Sequence, residues 1–166
     1  TKRYLSKLLD LDPHSLKPAA RRRIVSMDPQ TPTDILYESS VALELHRSDK
    51  DASADLGTTR SILDSLAPGI SDDLHPRDLS EGQKLSLALS IQLAAQPPVV
   101  LFDEPTRGLD YDGKKALANS FKELAINGHA VMVVTHDVEF SALCADRVLF
   151  MAAGKIVADG PAVDIL

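Results

Sequence analysis

Two adjacent carboxylates, Asp103 and Glu104, close the apolar run Val99 to Phe102. A hard divalent cation such as Mg²⁺ takes one or two carboxylates beside water and phosphate oxygens, and a second carboxylate can orient or polarise a water that attacks a phosphoryl group. His136 follows a second apolar run, Val131 to Val134. If the two runs are neighbouring parallel strands, its imidazole reaches the same sheet edge as Glu104, close enough to touch a γ-phosphate or that water. Taken singly, Asp103 reads equally as a loop cap, Glu104 as a surface residue and His136 as a strand-end cap. Their company, and the Pro105-Thr106-Arg107-Gly108-Leu109-Asp110 that follows the acidic pair, favours the chemistry.

A third feature lies upstream, in Leu79-Ser80-Glu81-Gly82-Gln83. Ser80 stands three residues before Gln83 and just ahead of an apolar run, which is the capping-box pattern of a helix start. Such an end points free backbone N–H groups outward, and Gly82 leaves no side chain in the way. Orphan donors and the positive end of the helix dipole together favour a phosphate there.

The elements that must position these groups follow from periodicity. Tyr4 to Leu11 has helical spacing and Asp12-Pro13 stops it; Ile24 to Met27 is a short strand, broken by Asp28-Pro29-Gln30-Thr31-Pro32, which leaves Gln30 in a stiff loop. Glu38 to His46 and Leu56 to Leu66 read as helices joined by a polar, acidic linker from Arg47 to Asp55. The helix from Ser80 to about Gln96 is apolar around most of its circumference, which predicts deep burial. From there the pattern alternates: strand Val99 to Asp103, helix Asp112 to Asn127 with Gly128 as its cap, strand Ala130 to Thr135, a right-handed βαβ unit. The unbroken apolar run at Val99 predicts a parallel strand covered on both faces. Helix Val138 to Cys144 leads into strands at Arg147 to Met151 and Lys155 to Ala158, a hairpin expected at the sheet edge.

Composition bounds the function. A net charge of -6 argues against nucleic acid as a partner, and the one basic cluster, Arg21-Arg22-Arg23, reads as a solvated pre-strand segment before a phosphate or lipid contact. Cys144 is the single cysteine, so no intrachain disulfide forms; its apolar neighbours point to a small core residue and a reducing compartment. No run approaches transmembrane length, so membrane association is expected to be peripheral. His14, His46, His75 and His129 have no ligand-like spacing.

One stretch imitates a phosphate loop. Gly108 to Lys114 fits the first seven positions of G-x-x-x-x-G-K-[ST], but Lys115 replaces the metal-binding hydroxyl, Asp110 and Asp112 would repel phosphate, and the run does not leave a strand directly. With no other candidate, the chain is expected to carry carboxylates and nothing of its own to hold the β- and γ-phosphates.

These residues together resemble the ATP-binding cassette family of ATPases, over the stretch from about Ile24 to Leu166. Leu79 to Gln83 is similar to the family's signature motif, Val99 to Glu104 to its Walker-B strand, Gly108-Leu109-Asp110 to its D-loop, His136 to its switch histidine and Gln30 to its Q-loop glutamine. The close, Ala158-Asp159-Gly160-Pro161, resembles the end of a transporter cassette. Gln30-Thr31-Pro32 and Glu38-Ser39-Ser40-Val41-Ala42-Leu43 resemble the energy-coupling factor ATPases, which drive uptake of vitamins and transition metals.

The resemblance implies ATP and Mg²⁺ as cofactors. Asp103 would hold Mg²⁺, Glu104 act on the water and His136 sense the γ-phosphate. Ser80, Gly82 and Gln83 would bind ATP carried by the opposite cassette, Gln30 would serve the nucleotide as well, and Asp110 would signal across the dimer. It implies an α/β fold with a P-loop NTPase-like parallel sheet core, incomplete here: residues 1–32 a core remnant ending in the Q-loop, 33–96 a helical signature subdomain, 97–166 the C-terminal part of the ATPase core with its hairpin. It implies as partners a second cassette, in a homo- or heterodimer, and an integral membrane transporter subunit touched through the loop after Gln30. The location implied is peripheral, on the cytoplasmic face of the membrane.

The departures carry expectations too. The family's phosphate loop and nucleotide-stacking aromatic belong ahead of the matched region, so helix Tyr4 to Leu11 is expected to follow a phosphate loop lying just before Thr1, and the isolated chain to be inactive. Glu81 stands where the family usually has Gly and is expected to bring negative charge toward a γ-phosphate. Leu85 and Ser86 replace polar and basic residues common after the signature. A rival reading makes the chain a binding module that supplies the signature in trans and hydrolyses nothing. A DNA-repair ATPase of the same superfamily is disfavoured, because only a short stretch separates Gln30 from Leu79 and the net charge is acidic.

Overall fold

The computed structural model describes residues 16–28 and 31–166. The expected helix Tyr4 to Leu11 and the expected Q-loop residue Gln30 lie outside the described residues. Helix α1 (Pro18–Arg22) leads into strand β1 (Val25–Asp28). After a 3₁₀ turn, Pro32–Ile35, come helices α2 (Val41–Ala52) and α3 (Thr58–Leu66), a second 3₁₀ turn, Pro76–Asp78, and helix α4 (Glu81–Leu93). Strand β2 (Val99–Asp103), helix α5 (Tyr111–Ile126), strand β3 (Ala130–Val134) and helix α6 (Val138–Cys144) follow. The chain closes with β4 (Arg147–Ala152), β5 (Lys155–Pro161) and the short helix α7 (Ala162–Ile165).

β1, β2 and β3 form a parallel sheet in that order, with Met27, Leu101 and Met132 in one row and Asp28, Phe102 and Val133 in the next. These rows point to opposite faces, as the period of two requires. One face is buried. Val100 and Phe102 pack under Leu85, Leu89 and Leu93 of α4, under Leu117, Phe121 and Leu124 of α5, and beside Phe140 of α6. Phe121 is the hinge of this core, its ring 4.3 Å from that of Phe102 and edge-on to Phe140 at 5.9 Å. The opposite face was expected to be covered as well, and among the described residues it is not: Met27, Met132 and Val134 remain at least half exposed. No described helix lies over that row, so β2 is buried only at alternate residues.

A second core gathers Val41 and Leu45 of α2, Leu63 of α3, and Ile70, Leu79 and Leu87. α4 belongs to both cores, with Leu85 and Leu89 facing the sheet and Leu87 facing the helices. That double duty explains why its sequence is apolar nearly all round. Gln92 of α4 also clamps β1, donating to Met27 O at 3.1 Å and accepting from the Ser26 hydroxyl.

Two other expectations are corrected. The first helical segment was expected at Glu38 to His46 with a polar linker from Arg47 onward. Instead α2 starts behind its N-cap Ser40 and runs on to Ala52. Its polar end is held by tertiary bonds: buried Asp49 accepts from the N–H groups of Gly57 and Thr59 at 2.7 and 2.8 Å and from the Thr59 hydroxyl at 2.5 Å, capping α3. Arg47 pairs with buried Glu44 and donates to Ile35 O at 3.0 Å. The hairpin β4–β5 likewise does not extend the parallel sheet. It forms a two-stranded sheet of its own, closed by the two-residue turn Ala153-Gly154 with φ of 48° and 73°, a combination suited to a tight hairpin, and pinned by Arg147 on Asp159.

Arg22 is exposed and pairs with Asp51 at 3.5 Å, while His75 caps the second 3₁₀ turn and His129 bonds Pro97 O at 2.7 Å. Cys144 is half-buried, and burial pushes its thiol pKa up, away from reactivity.

Candidate active site

Strand β2 ends at half-buried Asp103, and the chain then turns sharply at Glu104. Glu104 has φ of 50°, a left-handed conformation that a non-glycine residue adopts only when its surroundings impose it. Here the imposition is visible. The Glu104 N–H donates to Val134 O of β3 at 2.8 Å, prolonging the parallel ladder by one bond, and Arg107 N–H returns to Glu104 O at 3.2 Å. The twist carries the Glu104 side chain to the segment that follows β3. Thr135 donates its hydroxyl to Oε2 at 3.0 Å, and His136 approaches Oε1 with its backbone N–H at 3.1 Å and its ring Nδ1 at 2.8 Å.

An ionised carboxylate is acceptor-only, so Nδ1 carries the proton in this contact and Nε2 is left free. Burial pushes the Glu104 carboxyl pKa up, but the hydrogen bonds from His136 and Thr135 and the nearby imidazole charge outweigh it and hold the pKa below the usual carboxylate range. The same bond to Glu104, reinforced by its charge and by Asp137 and opposed by Lys114, raises the His136 pKa. A protonated ring presents Nε2–H outward as a donor, which suits contact with an anion.

Helix α4 begins nearby. Both halves of its capping box are formed: Gln83 N–H to the Ser80 hydroxyl at 3.3 Å, and Ser80 N–H to Gln83 Oε1 at 2.9 Å. Ser80 and Gln83 thus hold each other. Glu81 is exposed and pairs with Lys84 at 2.8 Å, so the negative charge expected there arrives with its counter-charge. The start of α4 leans on the turn after Glu104: a Cβ on Gly82 would lie 3.9 Å from Leu109, and one on Gly108 would lie 3.7 Å from Glu81 Cγ. Gly108 has φ of 80°, which also favours glycine. Asp110 caps α5, accepting from Gly113 N–H at 2.8 Å.

Four neighbours of this site were given no role in the sequence reading: Thr135, Asp137, Lys114 and Asp28. Thr135, Thr106 and Asp137 knit the loop after β3, and Lys114 of α5 reaches Asp137 at 2.6 Å. A Ser/Thr/Asp just before an apolar helix is a cap signal, so Asp137 was within reach of the sequence; Lys114 was not. Asp28, last of β1, is buried, its Oδ1 has no hydrogen-bond partner among the described residues, and burial raises its pKa to about 7. It lines a cavity of about 20 Å³, shared with Glu81, Leu85 and Glu104 and large enough for one water. An open cleft beside Glu104 is lined by Arg107, Lys114, His136 and Asp137. Among the described residues no three His, Cys, Asp or Glu side chains converge as a metal cage.

A family model described as "AAA domain, putative AbiEii toxin, Type IV TA system" matches residues 6–142, so the chain carries that AAA domain. A "Putative ABC transporter ATP-binding protein" of Streptomyces coelicolor is 52% identical over 157 residues. The chain belongs to that AAA-domain family, and its sequence is similar to those of ATP-binding cassette proteins. A second protein with that description, from Streptomyces avermitilis, is 49% identical over 154 residues. These alignments take in 95% and 93% of this chain, and the chain spans 28% of the length of each relative. A solved dimeric cassette in a post-hydrolysis state, bound to ADP and Pi, superposes with a TM-score of 0.74 over 92% of this chain and 68% of its own, at 22% identity. The α/β fold with its parallel sheet is therefore that of the cassettes. No described helix of this chain is long and apolar enough to cross a membrane.

Proposed function

We propose that this chain is part of an ATPase subunit that powers a membrane transporter by dimerising with another cassette. The observation that carries the reading is the Glu104 carboxylate, held ionised at the C-terminal edge of a parallel sheet by Thr135 and His136. Glu104 orients the attacking water. His136 steadies Glu104 through Nδ1 and offers Nε2 to the γ-phosphate. Gln30 serves the nucleotide, the N-terminus of α4 with Ser80, Gly82 and Gln83 meets ATP carried by the opposite cassette, and Asp110 marks the dimer-facing turn. Asp103 would hold Mg²⁺, which when bound neutralises charge on the phosphates. One or two carboxylates suffice for an ion that keeps most of its waters, in keeping with the lack of a protein cage among the described residues.

The subunit on this reading sits peripherally on the cytoplasmic face of the membrane, touching an integral transporter subunit through the loop after Gln30, with 33–96 as the signature subdomain between 1–32 and 97–166. The energy-coupling factor class is the proposed branch, on Gln30-Thr31-Pro32 and Glu38 to Leu43. Glu104→Gln in the full-length protein tests the catalytic assignment. ATPase activity should fall by about 100-fold or more, the usual weight of a positioned acid or base; normal activity would remove Glu104 from that role.

A second reading applies to the chain taken alone. No stretch of it fits the whole phosphate-loop motif, and the lysine of the near-match is engaged by Asp137. By itself it acts as a binding module that supplies a signature in trans. Tight Mg-ATP binding with turnover by the isolated chain would overturn this.

A further inference from the structure

We infer that Lys114 is a positioning residue for the Glu104–His136 pair, acting through its ion pair with Asp137. The proposal rests on reading Glu104 and His136 as the working groups.

His136 has little packing of its own, since its side chain is 91% exposed. Apart from its own bonds to Glu104, its place is set by the residues on either side. Thr135 is tied to Glu104 through its hydroxyl. Among the bonds that hold Asp137, its N–H donates to Thr135 Oγ1 at 3.1 Å, its Oδ1 caps α6 by accepting from Phe140 N–H at 2.9 Å, and its carboxylate meets Lys114 Nζ, from Oδ2 at 2.6 Å, and the Thr106 side chain. The first two bonds stay within the loop and its own helix. Thr106 ties the carboxylate to the segment after β2, and Lys114 anchors it to α5, one turn from Asp110, whose carbonyl accepts the Lys114 N–H at 2.9 Å. The pair is also sheltered, with side-chain exposures of 24% and 14%, unlike the fully solvated pairs that contribute little.

An electrostatic role alone does not explain a lysine here. The charged groups facing His136 are Glu104 and Asp137, which favour the imidazolium, and Lys114, which disfavours it. A cation in this place works against the Glu104–His136 bond unless its service is to hold Asp137. The two roles therefore predict opposite signs on removal.

The test uses this chain, its Lys114→Met and Lys114→Arg variants, and NMR. Amide exchange comes first. In Lys114→Met the His136 N–H, bonded to Glu104, should lose about tenfold or more of its protection, equivalent to about 1.4 kcal/mol, while the Phe102 N–H in β2 keeps its own. Lys114→Arg should restore it. The His136 ring titration comes second: its midpoint should fall toward the ordinary imidazole value in Lys114→Met, by about threefold or more in proton affinity. A midpoint that rises or stays put, or unchanged His136 protection, overturns the proposal. So does a loss that takes Phe102 with it, because the ion pair would then serve the fold and not the loop. Normal ATPase activity in full-length Glu104→Gln would sink the catalytic reading and leave these results as a property of the loop.

Discussion

Glu104 and His136 meet twice, once through the His136 backbone N–H and once through its ring, both on the same carboxylate oxygen. The backbone contact survives any substitution at 136 that keeps the chain's course. The ring contact depends on protonation, so pH separates the two.

His136 has a raised pKa in the folded chain, and Glu104 a lowered one. The imidazolium's contribution to stability is therefore complete below the unfolded imidazole pKa and is lost as pH rises through the raised folded value. The carboxylate's share is present above its unfolded pKa and is lost as pH falls through the lowered one. Urea unfolding of His136→Ala against the parent chain should show its largest difference at about pH 5 to 6 and a shrinking one in mild alkali. A constant difference across that range would mean the ring carries no charge-dependent bond.

Asp28 behaves in the opposite sense to an ion-paired carboxylate. Its pKa is raised by burial to about 7, so the folded chain is penalised as pH rises from the unfolded value of 3.8 through 7. Asp28→Asn should remove that slope and stabilise the chain at pH 8 by up to about 4 kcal/mol, a ceiling set by the size of the shift. Equal slopes for parent and variant in pH-dependent urea unfolding would contradict the buried protonated form.

At the head of α4, Ser80→Ala removes the acceptor of the Gln83 N–H, and Gln83→Ala removes the acceptor of the Ser80 N–H. Each should cost about 1 kcal/mol in equilibrium unfolding. Because the two bonds are reciprocal, the double variant should lose less than the two single losses combined. Full additivity would mean that the box does not act as a unit.

Asp49→Ala should be the more severe change, about 2 to 4 kcal/mol, because it strands two N–H groups and a hydroxyl at the buried start of α3. Thermal unfolding would reveal it, and a loss of a few tenths would show that water reaches those donors.

Asp49 also marks the limit of what periodicity discloses. Strands β2 and β3, helices α5 and α6 and the capping box all announce themselves through local pattern: apolar runs, turn glycines, and a Ser three before a Gln. The far half of α2 does not, because Arg47-Ser48-Asp49-Lys50-Asp51 looks solvated until α3 arrives to use Asp49 as its cap. The separate hairpin sheet was hidden for a related reason. Alternation identifies strands but says nothing about which edge they join. At the site, the closeness of Glu104 and His136 follows from parallel register and two strand ends, so it could be read in advance. Asp28 and Lys114 could not, since burial and a partner distant in sequence confer their significance.

The three methionines of the chain stand at 60%, 50% and 65% exposure, Met27 and Met132 in one row of the sheet face that no described helix covers and Met151 on the hairpin. Thioethers so placed are oxidised readily by peroxide, each gaining one oxygen. Met27 and Met132 form a built-in footprint: whatever comes to lie against that face will record its arrival as a methionine that peroxide no longer reaches.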